Sequence, residues 1–339
     1  MKILITGGTG FLGRHCAIRL HSLGHIVTAL GRNELTGAEF EKRGIRFINA
    51  DLSDNEAIHS AFANQEQIIH AGALNARWGN YSDFYRANVL GTQHVIDASL
   101  AHGVQRLVHL STSSIYFNYR NRLLIRESEA LPKPTSTYAA TKRMADNLIN
   151  TAAERGLSCI TLCPKSIIGP GDHNVLGRIL KAANSGSIYL PNGGQSLVDP
   201  SCVDNVVDAV LLALNAPESA CGKKFNISNG EPLKLRQMVD LLADSIKRPI
   251  NIRSIPYPVA YTMASVLEFG YGVLARREPP LTREITGLMA KSQTLDISAA
   301  RDILGYKPRI NLIEGIKGYA HWWQRCNTGK ASYAERIGL

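Results

Sequence analysis

Short apolar runs alternate with longer stretches of helical period from the first residues onward. Lys2–Thr6, Ile26–Leu30, Arg46–Ile48, Gln67–His70, Arg106–Ser111 and Leu157–Cys163 are apolar segments of strand length. Between them, Gly10–Leu23, Asp54–Phe62, Ser82–His102 and Thr135–Arg155 repeat apolar positions every three or four residues. This alternation predicts a parallel sheet with helices on both faces, a Rossmann-type doubly wound α/β architecture. A helix at Val203–Leu214 leads to a seventh strand, Lys224–Ser228, that returns to the sheet. Past Pro164, glycine and proline cluster at 169–171 and 191–194, and helical patterns cover Leu235–Ile246, Tyr257–Ala275, Leu281–Met289 and Leu312–Arg325. The expected division is a sheet domain of residues 1–165, rejoined by about 197–228, and a smaller, mainly helical C-terminal cap of 166–196 and 229–330. A ligand would sit at the carboxyl edge of the strands, roofed by the cap.

The segment Ile255–Ala275 carries a single charge, Glu268, and is long enough to suggest a membrane span. Pro256, Pro258, Gly270, Gly272 and three tyrosines argue against a span. Val259, Met263, Val266, Leu267, Val273 and Leu274 follow helical spacing, so a buried helix or the apolar wall of a substrate cavity is expected, with peripheral lipid contact as a further role.

Composition narrows the partners. The 339 residues are 45% hydrophobic and carry a formal net charge of +10, but Lys and Arg are scattered with no run of five. A nucleic-acid surface is not indicated, and a phosphate-bearing ligand suits the charge. The six cysteines form no Cys-x-x-Cys pair, so a metal site is not expected. A first strand starting at Lys2 leaves no room for a leader, and reduced thiols in the cytoplasm are expected.

Gly7, Gly10 and Gly13 space a Gly-x-x-Gly-x-x-Gly turn between first strand and first helix, with Thr9, Phe11 and Leu12 between them. Such a turn lets the backbone approach a pyrophosphate and aims free helix N–H groups at it. Arg32 follows the second strand, where an acidic residue would favour NAD, so NADP(H) is the preferred cofactor and NAD(H) the alternative. Asp51 and Leu52 are expected beside the adenine, and Ala71-Gly72-Ala73 beneath the dinucleotide. His70, before them, reads as a histidine packed at a strand end.

Tyr138 and Lys142 fall one helical turn apart on one face. An ammonium beside a phenol favours the phenolate, which lets the tyrosine exchange a proton with a carbonyl or alcohol oxygen. Ser111, Thr112 and Ser113 close the fifth strand, and spacing does not choose among them as donors to a substrate oxygen.

With these residues the chain resembles the extended short-chain dehydrogenase/reductases, and within them the 3β-hydroxysteroid dehydrogenase/isomerase family. The markers are Thr6–Gly13, His70–Ala73, Trp78-Gly79, Asn88–Thr92, Ser111–Tyr116, Tyr138–Lys142, Pro164 through Asp172, Val203–Asn205 and Phe225–Gly230. The resemblance implies a Thr112–Tyr138–Lys142 triad, Asn88 as support near the cofactor, cofactor contacts at Pro164, Ser166 and Ile167, and a homodimer through the helices 82–102 and 135–155. Two positions depart from the pattern. Cys163 stands where an arginine commonly precedes the proline, and Phe117 replaces a glycine. Trp78–Ala98, Ile227–Leu233 and Glu278–Arg283 look especially like bacterial 2-alkyl-3-oxoalkanoate reductases, which implies an NADPH-dependent reduction of a long-chain β-keto acid; a sterol would suit the apolar cap equally. An epimerase acting on nucleotide sugars is the alternative on the same scaffold. Ser113-Ser114 replaces the Asp-Glu pair of the dehydratases, and the presence of both Tyr138 and Lys142 disfavours a non-catalytic dinucleotide sensor.

Overall fold

The computed structural model describes the chain except residues 77, 185, 275, 276, 328–330 and 339, together with the side chains at 273 and 274. The apolar runs become seven strands: β1 (Lys2–Thr6), β2 (Ile26–Gly31), β3 (Arg46–Asn49), β4 (Gln67–His70), β5 (Arg106–Leu110), β6 (Cys159–Pro164) and β7 (Lys224–Ile227). They form one parallel sheet in the order β7-β6-β5-β4-β1-β2-β3. Strand order reverses between β1 and β4, where Thr6 lies level with His70, and the crevice for a ligand opens there.

Helices cover both faces, as parallel strands apolar on both sides require. Phe11–Ser22 and Val203–Leu214 pack on one face through Cys16, Ala17, Leu20, Val206 and Val210. Asn55–Phe62, Gly91–Ala101 and Thr137–Glu154 pack on the other through Ile58, Phe62, Val95, Ile96 and Ile149.

The expected helix at 82–102 is not continuous. An α-helical turn, Tyr81–Tyr85, runs into a π-helical turn, Arg86–Leu90, before Gly91–Ala101 resumes α geometry. The insertion brings Gly91 against Leu52, where an added Cβ would lie 2.8 Å from the leucine Cβ, and turns Asn88 inward.

The cap has its own core, built by Leu176, Leu180, Leu235, Leu242, Ile316 and Tyr319. It holds more short strands than its pattern suggests. Within it Ile188–Pro191 pairs with Ile252–Ile255, and two further pairs tie it to the sheet domain, Gln293–Leu295 with Arg122–Ile125 and Ile167–Ile168 with Ser201–Cys202. Each pair joins residues far apart in sequence, so no local period announces it. The helices Glu34–Glu41 and Leu176–Asn184 also went unread. Asn33 caps the first, accepting from Thr36 N–H at 3.0 Å, and the Asp172 carboxylate receives the N–H groups that precede the second.

The segment 255–275 corrects an expectation. It forms a helix, Tyr257–Leu267, followed by π-helical turns over Glu268–Leu274, and Ala260 and Ala264 supply its buried face. Val259, Met263, Val266 and Phe269 face outward, 50–66% exposed. The helical period was right, but the small residues, not the large ones, pack inward. The part of the predicted stripe at 273–275 lies outside the described side chains. No described helix is long and apolar enough to cross a membrane.

Candidate active site

Backbone contact builds the dinucleotide cradle. Gly7 has φ +66°, and a Cβ there would lie 2.6 Å from Gly72 Cα. A Cβ on Gly13 would lie 2.2 Å from the Gly7 carbonyl oxygen. A side chain at Gly7 would separate the turn from the β4 exit and one at Gly13 would push the first helix off the turn, so the glycine spacing is a packing requirement. Gly10 caps the helix Phe11–Ser22, and among the described residues no side chain takes the first-turn N–H groups and no carboxylate stands there. These donors and the positive helix end fit a pyrophosphate.

His70 belongs to the scaffold beneath this turn. Thr92 Oγ1 donates to Asn88 O at 2.6 Å, so His70 Nε2–H donates to Thr92 Oγ1 at 3.0 Å and Nδ1 accepts from Thr6 Oγ1 at 2.7 Å. Burial, with His109 and Lys142 nearby, holds the imidazole well below its ordinary pKa, which agrees with this neutral tautomer. Asn88 is equally occupied. It accepts from Leu74 N–H at 2.7 Å and donates to Thr141 Oγ1 at 3.0 Å and Leu74 O at 3.3 Å. It therefore fixes the Ala71–Leu74 loop against the Thr137–Glu154 helix.

At the carboxyl end of β2, Arg32 donates to Asp51 across 3.0 Å. Partial burial pushes the Asp51 carboxyl up, but Ser53 N–H at 2.9 Å, its hydroxyl at 2.7 Å and Arg32 more than offset that. Arg32 is 72% exposed, and such a pair is worth about 0–1 kcal/mol, so the guanidinium can turn to an anion at little cost.

Ser136 caps the helix bearing Tyr138 and Lys142, accepting from Ala139 N–H at 3.2 Å. Lys142 is buried and donates to Leu110 O at 2.7 Å. Burial lowers its pKa to about 8, against the pull of Asp146. Burial raises the Tyr138 phenol to about 12, while a side-chain hydrogen bond with Thr112 pulls the other way. The phenol is thus protonated at neutral pH. Of the three hydroxyls closing β5, Ser111 donates to Asp146 at 2.8 Å and Ser113 is buried, which leaves Thr112 beside Tyr138.

Sequence reasoning missed the group behind this pair. Asp146 lies one turn beyond Lys142, fully buried, and accepts from Lys224 Nζ at 2.6 Å, Ser111 Oγ at 2.8 Å and His109 Nε2 at 3.2 Å. Burial pushes its carboxyl up, but these donors and Lys142 hold it well below the usual range. His109 is lowered to about 4 by burial and the nearby Lys142, so it is a neutral donor. The spacing 138–142–146 on one helix face is a signal that could have found Asp146.

Past β6, Ser166 is exposed with φ +42°, a left-handed conformation rare for serine, and Ile167 pairs with Ser201. Cys163 is buried and interacts with Tyr116. A cation does reach the cap, from a neighbouring position: buried Lys165 donates to Gln293 Oε1 at 2.6 Å. Phe117 is buried under Gly287 of the cap, where an added Cβ would lie 2.9 Å from the phenylalanine ring, so the larger side chain fills space a glycine leaves. Pro164 ends β6 within the core sheet. The described residues contain no group of three metal-ligating side chains.

Residues 3–228 match the NAD dependent epimerase/dehydratase family. The chain belongs to that family. Among its relatives is the 2-alkyl-3-oxoalkanoate reductase of Stenotrophomonas maltophilia, 35% identical, with 94% of this chain and 98% of that protein covered. The 3beta-hydroxysteroid-dehydrogenase/decarboxylase isoform 2 of Arabidopsis thaliana is 32% identical, over 98% of this chain and 64% of that protein. Among solved structures, MoeE5 in complex with UDP-glucose and NAD superposes with a TM-score of 0.76 at 25% identity, over 96% of this chain and 100% of that one. Family membership and the reductases and dehydrogenases among its relatives make this family member a nicotinamide-dependent oxidoreductase.

Proposed function

We propose that the chain is an NADP(H)-dependent reductase that interconverts the ketone and secondary alcohol of a lipophilic substrate, with a long-chain β-keto acid as the first candidate and a sterol-like ketone as the second. The observation that carries this reading is the half-buried Tyr138 phenol beside Thr112, one turn before a buried lysine that donates to Leu110 O at the carboxyl end of β5. When bound, the dinucleotide supplies hydride to the carbonyl carbon. Thr112 and Tyr138 hold the carbonyl oxygen, Tyr138 delivers the proton that completes the alcohol, and Lys142 favours the resulting phenolate. Gly7 and Thr9 through Gly13 would hold the pyrophosphate; Asp51 and Leu52 would lie beside the adenine and Ala71–Ala73 beneath the dinucleotide; Ser166 and Ile167 would lie along the nicotinamide end. Arg32 would take the 2′-phosphate, which supports NADP over NAD.

The same proposal includes a cytoplasmic homodimer that touches lipid surfaces peripherally. Exposed Tyr81, Leu90 and Met144 along the two candidate dimer helices support the first part. The outward Val259, Met263, Val266 and Phe269 face, beside a groove of about 570 Å³, supports the second. Likeness to a UDP-sugar-binding structure keeps an epimerase as the second reading. One experiment separates them: purified protein is offered a long-chain β-keto acid or a 3-ketosteroid with NADPH, and UDP-glucose with oxidised NAD or NADP. Stoichiometric NADPH oxidation with a lipophilic ketone supports the reductase. Epimerised UDP-sugar without net cofactor consumption overturns it.

A further inference from the structure

The last described segment of the chain does not end in the cap. The cap helix Leu312–Asn327 leads to a short helix, Tyr333–Arg336, that lies against the sheet domain on the cofactor side. Several contacts seat it. Trp322 Nε1 donates to Glu335 O at 2.5 Å, Ser332 and Glu335 form a reciprocal cap, and Arg325 pairs with Glu335. A Cβ on Gly338 would lie 2.6 Å from Pro170 O, and one on Gly171 would lie 2.6 Å from Ile337 O.

This strap brings Tyr333 to one corner of the cradle. Its hydroxyl lies 3.2 Å from Asn33 Oδ1 and 3.0 Å from Thr36 Oγ1. Asn33 is the neighbour of Arg32, and Gly31 sits so close to the glycine turn that a Cβ there would lie 2.4 Å from Thr9 Oγ1. The end of β2, the glycine turn and the strap therefore meet where a dinucleotide presents its adenosine ribose. Arg14 lies behind this corner. It is 8% exposed, donates to Thr9 O at 3.2 Å, and its Nε has no partner among the described residues. Burial lowers the guanidinium to about 10, with Tyr333 acting in the opposite sense. The phenol hydroxyl thus reaches the residue that follows Arg32 at the end of β2, while the Arg14 guanidinium is held on the glycine turn.

We propose that the C-terminal strap is part of the cofactor site and that Tyr333 is a specificity residue, its hydroxyl donating to a phosphomonoester on the adenosine 2′-oxygen; this rests on the NADP reading above. Rotation about the phenol C–O bond re-aims the proton from Asn33 to the phosphate without moving the ring.

The test measures binding of 2′,5′-ADP and 5′-AMP by calorimetry to the full chain, to Tyr333→Phe and to a chain ending at residue 330. Wild-type protein should prefer 2′,5′-ADP. Tyr333→Phe should weaken 2′,5′-ADP about tenfold, as expected for one hydrogen bond to a charged group, and change 5′-AMP less than about twofold. The truncated chain should show the same selective loss, enlarged. If wild type prefers 2′,5′-ADP but Tyr333→Phe leaves both affinities unchanged or lowers them equally, the strap proposal is overturned and the NADP reading stands. If wild type does not distinguish the two nucleotides, the NADP reading fails and takes the strap role with it. Tyr333→Phe removes one partly exposed hydroxyl, so its result does not depend on whether the truncated chain folds.

Discussion

The sheet domain and the cap obtain order in different ways. In the sheet domain, neighbours in sequence are neighbours in space: strand, turn and helix follow one another, and the site consists of backbone turns and one helix face. In the cap, strands pair across long separations, such as Ile188–Pro191 with Ile252–Ile255, and one helix turns its larger apolar residues outward. The first arrangement is suited to a ligand of fixed shape held largely by main-chain groups. The second leaves side chains free to be shaped to a substrate, a lipid surface or a partner. The difference teaches that, on the function proposed above, the chemistry belongs to the regular half of the chain and the recognition of its substrate to the irregular half.

The largest test of that contrast is Tyr138→Phe. Turnover should fall about 10²–10⁴-fold, the ordinary range for a lost general acid, with cofactor affinity nearly unchanged; a near-normal rate in a steady-state assay removes Tyr138 from the proton-donor role. Next in size is Asp146→Ala. Removing one member of a buried charge cluster should cost about 3–5 kcal/mol in denaturant unfolding, far more than any exposed cap substitution. The pH sign follows from the depressed Asp146 carboxyl: its stabilisation is present above the ordinary value of 3.8 and is lost as pH falls below it. Acid titrations of wild type and variant should therefore converge below that pH, and parallel curves would contradict the assignment.

Arg32→Asp should shift NADP/NAD selectivity toward NAD by roughly tenfold or more, since it replaces an attractive charge with a repulsive one; an unchanged ratio of kcat/KM values would rule out Arg32 as the 2′-phosphate ligand. Reductive kcat/KM should decline as pH rises through about 8, where Lys142 loses its charge, and a flat profile to pH 10 would sink that role. The smallest effect belongs to the cap surface. Val266→Ser with Phe269→Ser should alter stability by less than about 0.5 kcal/mol per site while reducing retention on lipid vesicles. A large loss of stability would show that this face is packed rather than presented.

Much of the site was legible because its residues are close in sequence. Gly7, Gly10 and Gly13 announce a turn, and Tyr138 with Lys142 a helix face. Thr112 could not be separated from Ser111 and Ser113 by spacing, because the choice depends on Asp146 engaging one hydroxyl and burial enclosing another. His109 and Lys224 converge on that carboxylate from separate strands, a meeting that only the sheet arranges.

Periodicity and glycine spacing by themselves marked the seven strands, most of the helices beside them and the glycine turn, since each leaves a pattern within about twenty residues of sequence. Tertiary structure decided which face of the 255–275 segment is covered, how a π-helical turn encloses Asn88, and that Tyr333 returns to the end of β2 three hundred residues after Asn33. Those outcomes follow from packing between distant segments, and a linear pattern carries no record of which distant surface a side chain will meet.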